Sequence, residues 1–221
     1  MVTALLLAAG RSRRMGRPKQ LLPLNGRPNG TPAIRRCLDT IISSGIEDAV
    51  VVLADFPEET TRILDALSGL PFRTAVNGLP GSDMAGSVRA GLREIAMPSC
   101  AFSHGQSAWH GLPGAGETGP AVLVFPADQP LVSAGSIRTL LKEHVKNPRD
   151  VLVPLFEGRR GHPALFPWEL IAGVFSGSCL RDIIRDNPGR VGLVETGDIG
   201  VVLDMDTPAD YRRVLGILER A

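Results

Sequence analysis

The chain has 221 residues, a formal net charge of +1, and is 43% hydrophobic and 21% charged. That length holds one large α/β domain with its own core, and the near-zero charge sets aside a general polyanion binder, so any basic cluster is local. No stretch approaches the roughly 18 continuous apolar residues of a membrane span, and the short apolar start, with positive charge after it, does not read as a signal peptide. Cys37, Cys100 and Cys179 are odd in number and widely spaced, with no C-x-x-C, as expected for reduced thiols of a cytoplasmic protein.

In chain order, residues 2–8 read as a buried strand running into a Gly-punctuated basic loop that ends at Gln20. Residues 25–31 are turn-rich. Thr31 and Pro32 form an N-cap and N1 pair for a helix with Ile34, Leu38, Ile41 and Ile42 at helical spacing up to Gly45. A strand at 49–54, a helix at 57–67 and a strand at 72–76 follow. Residues 77–86 read as loop and 87–96 as helix. Residues 97–120 have no period, and their Gly, Pro and His content reads as an insertion within one domain spanning 1–221: a lid, a partner surface or a disordered loop. Strands at 121–125, 151–156, 164–166, 191–195 and 201–203 alternate with helices at 133–146, 168–175, 180–187 and 208–219. This alternation predicts a single-domain, Rossmann-like, mostly parallel sheet with helices on both faces, whose ligands sit at the carboxyl ends of strands.

The loop Gly10-Arg11-Ser12-Arg13-Arg14-Met15-Gly16-Arg17-Pro18-Lys19 follows a buried strand, and backbone N–H groups with Arg and Lys can cradle a phosphate there. It is neither a Walker A loop nor G-x-G-x-x-G; read from charge alone it is also a basic surface loop. Asp128, in Pro-Ala-Asp-Gln-Pro after a buried strand, is either a Mg²⁺ ligand or a turn residue. Asp204 and Asp206 alternate around Met205 and can face one crevice, with Asp206 or Thr207 alternatively capping the last helix. Ser87 reads as an N-cap, and backbone groups of the loop before it can hydrogen-bond a base edge. In Gly158-Arg159-Arg160-Gly161-His162-Pro163, the two Arg suit a phosphate. His162 either orients an acceptor or makes a structural hydrogen bond.

The string Leu-Ala-Ala-Gly-x-Ser-x-Arg-Met-Gly-x-x-Lys resembles the signature of the nucleotidyltransferases, and within the MobA-like branch it is most similar to the molybdenum cofactor cytidylyltransferases. The resemblance extends to Asp-Gln-Pro, to Asp-x-Asp-Thr-Pro, to Gly-Arg-Arg-Gly-His-Pro and to the small-residue stretch from Gly81 to Ser87. It implies a fold of the nucleotide-diphospho-sugar transferase type. It implies that Ala8, Ala9, Gly10, Gly81, Ser82 and Ser87 contact the nucleoside and that Arg14 and Lys19 hold the triphosphate. Asp128 and Asp206 are then Mg²⁺ ligands, Asp204 a weaker candidate, and Arg159, Arg160 and His162 face the acceptor. Arg14, Lys19 and Asp128 carry the chemistry.

The implied reaction transfers CMP from CTP to the phosphate of a molybdopterin-type acceptor, releasing pyrophosphate. The implied partners are a molybdenum hydroxylase or its maturation chaperone, with no nucleic acid and no membrane. Ala9, where guanylyl-transferring relatives tend to have Gly, points to a pyrimidine base. The stretch 25–31 is longer and more polar than the family's turn. Three other readings stand beside this one: cytidylyl transfer to an isoprenoid or sugar phosphate, a non-catalytic molybdopterin carrier, and a basic-loop nucleic-acid binder, which the near-zero net charge favours least.

Overall fold

In the computed structural model, the described residues are 1–10, 12, 14–79, 83–96 and 120–220. Among the described residues, eight strands form one sheet in the order β3-β2-β1-β4-β7-β5-β6, with β8 pairing β5. The strands are β1 Val2–Leu7, β2 Asp48–Ala54, β3 Arg73–Asn77, β4 Ala121–Pro126, β5 Val151–Phe156, β6 Arg159–Arg160, β7 Ala164–Pro167 and β8 Val191–Glu195. The β1–β2, β1–β4, β2–β3 and β5–β8 pairs are parallel, and the β4–β7, β5–β7 and β5–β6 pairs are antiparallel. The expected α/β class is therefore the observed one.

The helices are α1 Ala33–Ser43, α2 Pro57–Ala66, α3 Met84–Ala96, α4 Ala134–Lys146, α5 Trp168–Ile171, α6 Leu180–Asp186 and α7 Pro208–Leu218. Strand side chains alternate between faces, and the core divides accordingly. Ala4, Leu6 and Ala8 pack with Ile34, Leu38 and Ile41 of α1, Ile63 of α2 and Leu140 of α4. Leu5, Val50 and Val52 pack on the other face with Val88 and Leu92 of α3 and Ile183 of α6. The central strands are buried on both faces, which is why they read as unbroken apolar runs.

Three local expectations shift. α1 starts one residue later than predicted. Pro32 is its N-cap, because the chain here makes a bridge to Pro23 and Leu24 N–H donates to the Thr31 carbonyl at 2.9 Å. α3 begins at Met84, so Ser87 lies inside the helix rather than capping it. Residues 199–202 form a 3₁₀ turn instead of a strand at 201–203. A Cβ on Gly200 would stand 2.4 Å from the Leu131 carbonyl, so this segment lies flush against backbone and cannot join the sheet as an extended strand would. The expected insertion at 97–120 lies outside the described residues, apart from Pro120.

Candidate active site

β1 and β4 run parallel and in register to Leu7 and Pro126, so the loops leaving them emerge side by side. The chain crosses to β2 on one side of β1 and returns to β4 on the other. The crevice between β1 and β4 is thus a topological switch point at the carboxyl ends of strands.

The first loop is stapled from within. Gln20, 1% exposed, donates through Nε2 to the carbonyls of Ala8 and Gly10, both at 2.9 Å. Ser12 Oγ donates to Gln20 Oε1 at 3.2 Å and accepts from Lys19 N–H at 3.0 Å. Gly16 takes a φ of +72°, a region open to glycine at little cost, and its N–H closes back on the Ser12 carbonyl at 3.1 Å. Met15 is buried with Leu22, Met205, Tyr211 and Val214, and the Arg17 guanidinium lies 5.8 Å from the centre of the Tyr211 ring. These contacts tie the loop to α7, at whose start Asp206 stands.

The second and third elements are held by main chain. Met205 N–H donates to the Asp128 carbonyl at 2.9 Å, and Met205 is fully buried. Its neighbours Asp204 and Asp206 then turn away from the core. Asp204 accepts from the Gln129 side chain at 2.5 Å. Thr207 caps α7: its hydroxyl accepts from Asp210 N–H at 3.2 Å and donates to the Asp210 carboxylate at 2.7 Å. With the cap supplied by Thr207, the Asp206 carboxylate is free of that duty. Thr207→Ala is expected to cost about 1 kcal/mol of stability, the usual worth of such a cap; urea unfolding measures it.

Lys19 joins the elements. Its ammonium donates to Asp128 Oδ2 at 2.5 Å and to Asp206 Oδ1 at 2.7 Å, and Arg14 Nη2 donates to Asp206 Oδ2 at 2.6 Å. The Lys19 side chain is only 12% exposed. Burial works against its charge, but the Asp128 and Asp206 carboxylates outweigh burial and hold its pKa above the ordinary value. Asp128 Oδ1 is buried and has no hydrogen-bond partner among the described residues. An unsatisfied carboxylate oxygen beside a second carboxylate fits a hard divalent cation. Among the described residues no cluster of three or more Asp, Glu, His or Cys side chains that could hold a metal forms. Mg²⁺, which keeps most of its water and shares substrate phosphates, needs no more than such a pair.

A cavity of about 190 Å³ opens on the Asp128 side of this pair, lined by Ala9, Gly10, Lys19, Asp83, Ser87 and Asp128 among others; Asp206 does not line it. Ser87 is reached through α3 and accepts from Asn77 Nδ2 at 3.0 Å. Asp83, which the sequence reading passed over, accepts from Gly86 N–H at 3.0 Å and sets the start of that helix. Gly81 and Ser82 lie outside the described residues.

His162 sits within reach of the charges of Asp204 and Asp128. Its main-chain N–H donates to the Val201 carbonyl at 2.8 Å, while its ring Nδ1 is buried without a partner among the described residues. The side-chain bond expected of a purely structural histidine is thus not found at Nδ1. Burial pushes its pKa below 6.5, against the pull of the two carboxylates. The neutral form is therefore favoured on folding, and that contribution is complete above the ordinary value and lost as pH falls through the lower folded-state value. Stability should decline as pH drops below about 6.5, and His162→Asn should flatten that decline in melting curves taken across the same range. Arg159 and Arg160 stand exposed on β6 and do not line the cavity. They sit beside the His162 segment rather than in the cluster around Lys19.

The chain matches the MobA-like NTP transferase domain over residues 4–187. It is 29% identical over 227 residues to the nicotine blue oxidoreductase of Paenarthrobacter nicotinovorans, covering 97% of this chain and 96% of that protein. A nucleotidyl transferase from Methanothermobacter superposes with a TM-score of 0.72 at 22% identity, covering 100% of this chain and 98% of the other. The molybdopterin-guanine dinucleotide biosynthesis protein A of Archaeoglobus fulgidus superposes with a TM-score of 0.65 at 18% identity, covering 99% and 100%. At these identities the two structures speak for the fold. Among the described residues no helix is long and apolar enough to cross a membrane.

Proposed function

The chain belongs to the MobA-like NTP transferase domain family, and from that premise we propose that it is a nucleotidyltransferase that moves CMP from CTP to the phosphate of a molybdopterin-type acceptor, releasing pyrophosphate. The observation that carries this reading is the Lys19 ammonium held between Asp128 and Asp206 at the mouth of a cavity that also gathers Ala9, Gly10 and Ser87. The acceptor phosphate is already an anion near neutral pH, so attack on the α-phosphorus needs no strong base. Catalysis is then positioning and charge neutralisation.

Ala8, Ala9 and Gly10 face the base, with Gln20 pinning the carbonyls of Ala8 and Gly10 on either side of Ala9. Arg14 and Lys19 hold the triphosphate and offset the charge growing on pyrophosphate. Asp128 and Asp206 would hold Mg²⁺, which supplies Lewis-acid stabilisation of phosphate oxygens. His162, neutral and with a free ring nitrogen, orients the acceptor, and Arg159 and Arg160 add charge along its approach. A Cβ on Ala9 narrows the base pocket and favours the smaller pyrimidine.

Pyrophosphate release with Mg²⁺, molybdopterin and either CTP or GTP tests this reading. About tenfold or greater preference for CTP is expected, the discrimination a single shape contact can give; equal rates would remove the base assignment. Release with an isoprenoid or sugar phosphate instead of molybdopterin would move the acceptor.

The near-full-length likeness to a nicotine blue oxidoreductase favours a second reading, an oxidoreductase activity. Turnover of nicotine blue with an added two-electron donor, with no pyrophosphate released from any nucleotide, would favour it.

A further inference from the structure

Asp128 and Asp206 bring two negative charges, and Lys19 and Arg14 return two positive ones, with Lys19 touching both carboxylates. The backbone of Lys19 is fixed, since its N–H is bound to Ser12 Oγ and the residue opens a 3₁₀ turn over Lys19–Leu21. Only the side chain is at liberty to move. A divalent cation arriving alone meets a pair already neutralised by the Lys19 ammonium, whose ion-pair partners among the described residues are these two carboxylates. A nucleoside triphosphate supplies that anion, and it would enter the cavity that Lys19 itself lines.

We infer that Lys19 is an internal counter-ion standing between the carboxylates that a metal would share, so that the metal is taken up only together with the nucleotide. This rests on the proposal that Asp128 and Asp206 hold Mg²⁺. Lys19 therefore has two stations, one on the carboxylates when the site is empty of substrate and one on the triphosphate when it is filled. It couples the two ligands by charge rather than by any movement of the fold, and such coupling is reciprocal between metal and nucleotide.

The test is a Mn²⁺ titration followed by electron paramagnetic resonance, with and without CTP. The intact protein should bind Mn²⁺ weakly alone and more tightly with CTP. Lys19→Met should bind Mn²⁺ alone on the order of tenfold more tightly than the intact protein, within the usual range of site-to-site coupling, and should gain less from CTP. Adding Asp128→Asn to Lys19→Met should abolish the gain. In melting curves Lys19→Met should unfold earlier than the intact protein without metal and recover with Mn²⁺, whereas the intact protein should gain less from the same Mn²⁺ concentration alone. Lys19→Gln, which keeps a polar group, should reproduce the tighter binding if the methionine variant folds poorly. Equal or weaker Mn²⁺ binding in a folded Lys19 variant overturns the inference. The titration needs no turnover, so a protein that shows the gain yet releases no pyrophosphate keeps its counter-ion and loses the cytidylyl-transfer reading. The opposite pattern keeps the reaction and loses the counter-ion.

Discussion

Asp128→Asn is expected to lower CTP-dependent pyrophosphate release by about a thousandfold, the scale at which removing one group that stabilises transition-state charge is felt. The substitution keeps the shape of the side chain and removes its charge. It leaves Lys19 with Asp206 as its remaining carboxylate and takes one of two carboxylates from the proposed metal site. The scaffold is spared, because what ties this residue to the 204–206 segment is its main-chain carbonyl, bound to Met205 N–H. Far-UV circular dichroism should therefore match that of the intact protein while initial rates collapse. A rate within a factor of about three would be too small for a charge that faces transferring phosphates, and would place the chemistry elsewhere.

Gly161→Ala should damage the protein more than any other single methyl group in this region. A Cβ there would stand 2.0 Å from the Val201 carbonyl oxygen and 2.6 Å from its carbon, both backbone atoms that no rotamer change can move aside. The flanking bonds, Gly161 N–H to the Pro154 carbonyl and His162 N–H to the Val201 carbonyl, are both 2.8 Å long and hold the two segments together. One or both must break to admit the methyl group. We expect a loss of about 3 kcal/mol, at the upper end of overpacking, and a fall in melting temperature of roughly 10 °C for a chain of this size. The same shift moves His162 and the turn that leads into Asp204 and Asp206, so the apparent affinity for the acceptor should fall with stability. A melting temperature unchanged within a degree would mean that the two segments are not in contact.

The residues that could be read from the sequence are those whose role follows from neighbours along the chain. Asp128 is legible because a run of buried apolar residues ends two positions before it, which puts it at the carboxyl end of a strand. Asp206 is legible because Thr207 and Pro208 mark a helix start and Met205 marks the buried side. Gln20 carries no such signal: its partners are carbonyls that come near only once the loop has folded back. Ser87 looks like a cap because Gly86 precedes it, yet Asp83 supplies the acceptor one turn earlier and the helix runs through. The apolar pair Val201 and Val202 imitates a strand, but Asp198 caps a turn there by accepting from Gly200 N–H, and Gly200 passes close over Leu131. Tertiary contact decides each of these, and a local pattern cannot encode it.

The central claim, transfer of a cytidylyl group, is tested most directly by following the α-phosphate of CTP. With label on that phosphate, Mg²⁺ and molybdopterin present, the label should appear in a pterin cytidine dinucleotide in step with pyrophosphate, and Asp128→Asn should give neither. Pyrophosphate without labelled pterin would mean hydrolysis or another acceptor, and no movement of label at all, with folded protein and active acceptor, would contradict the account.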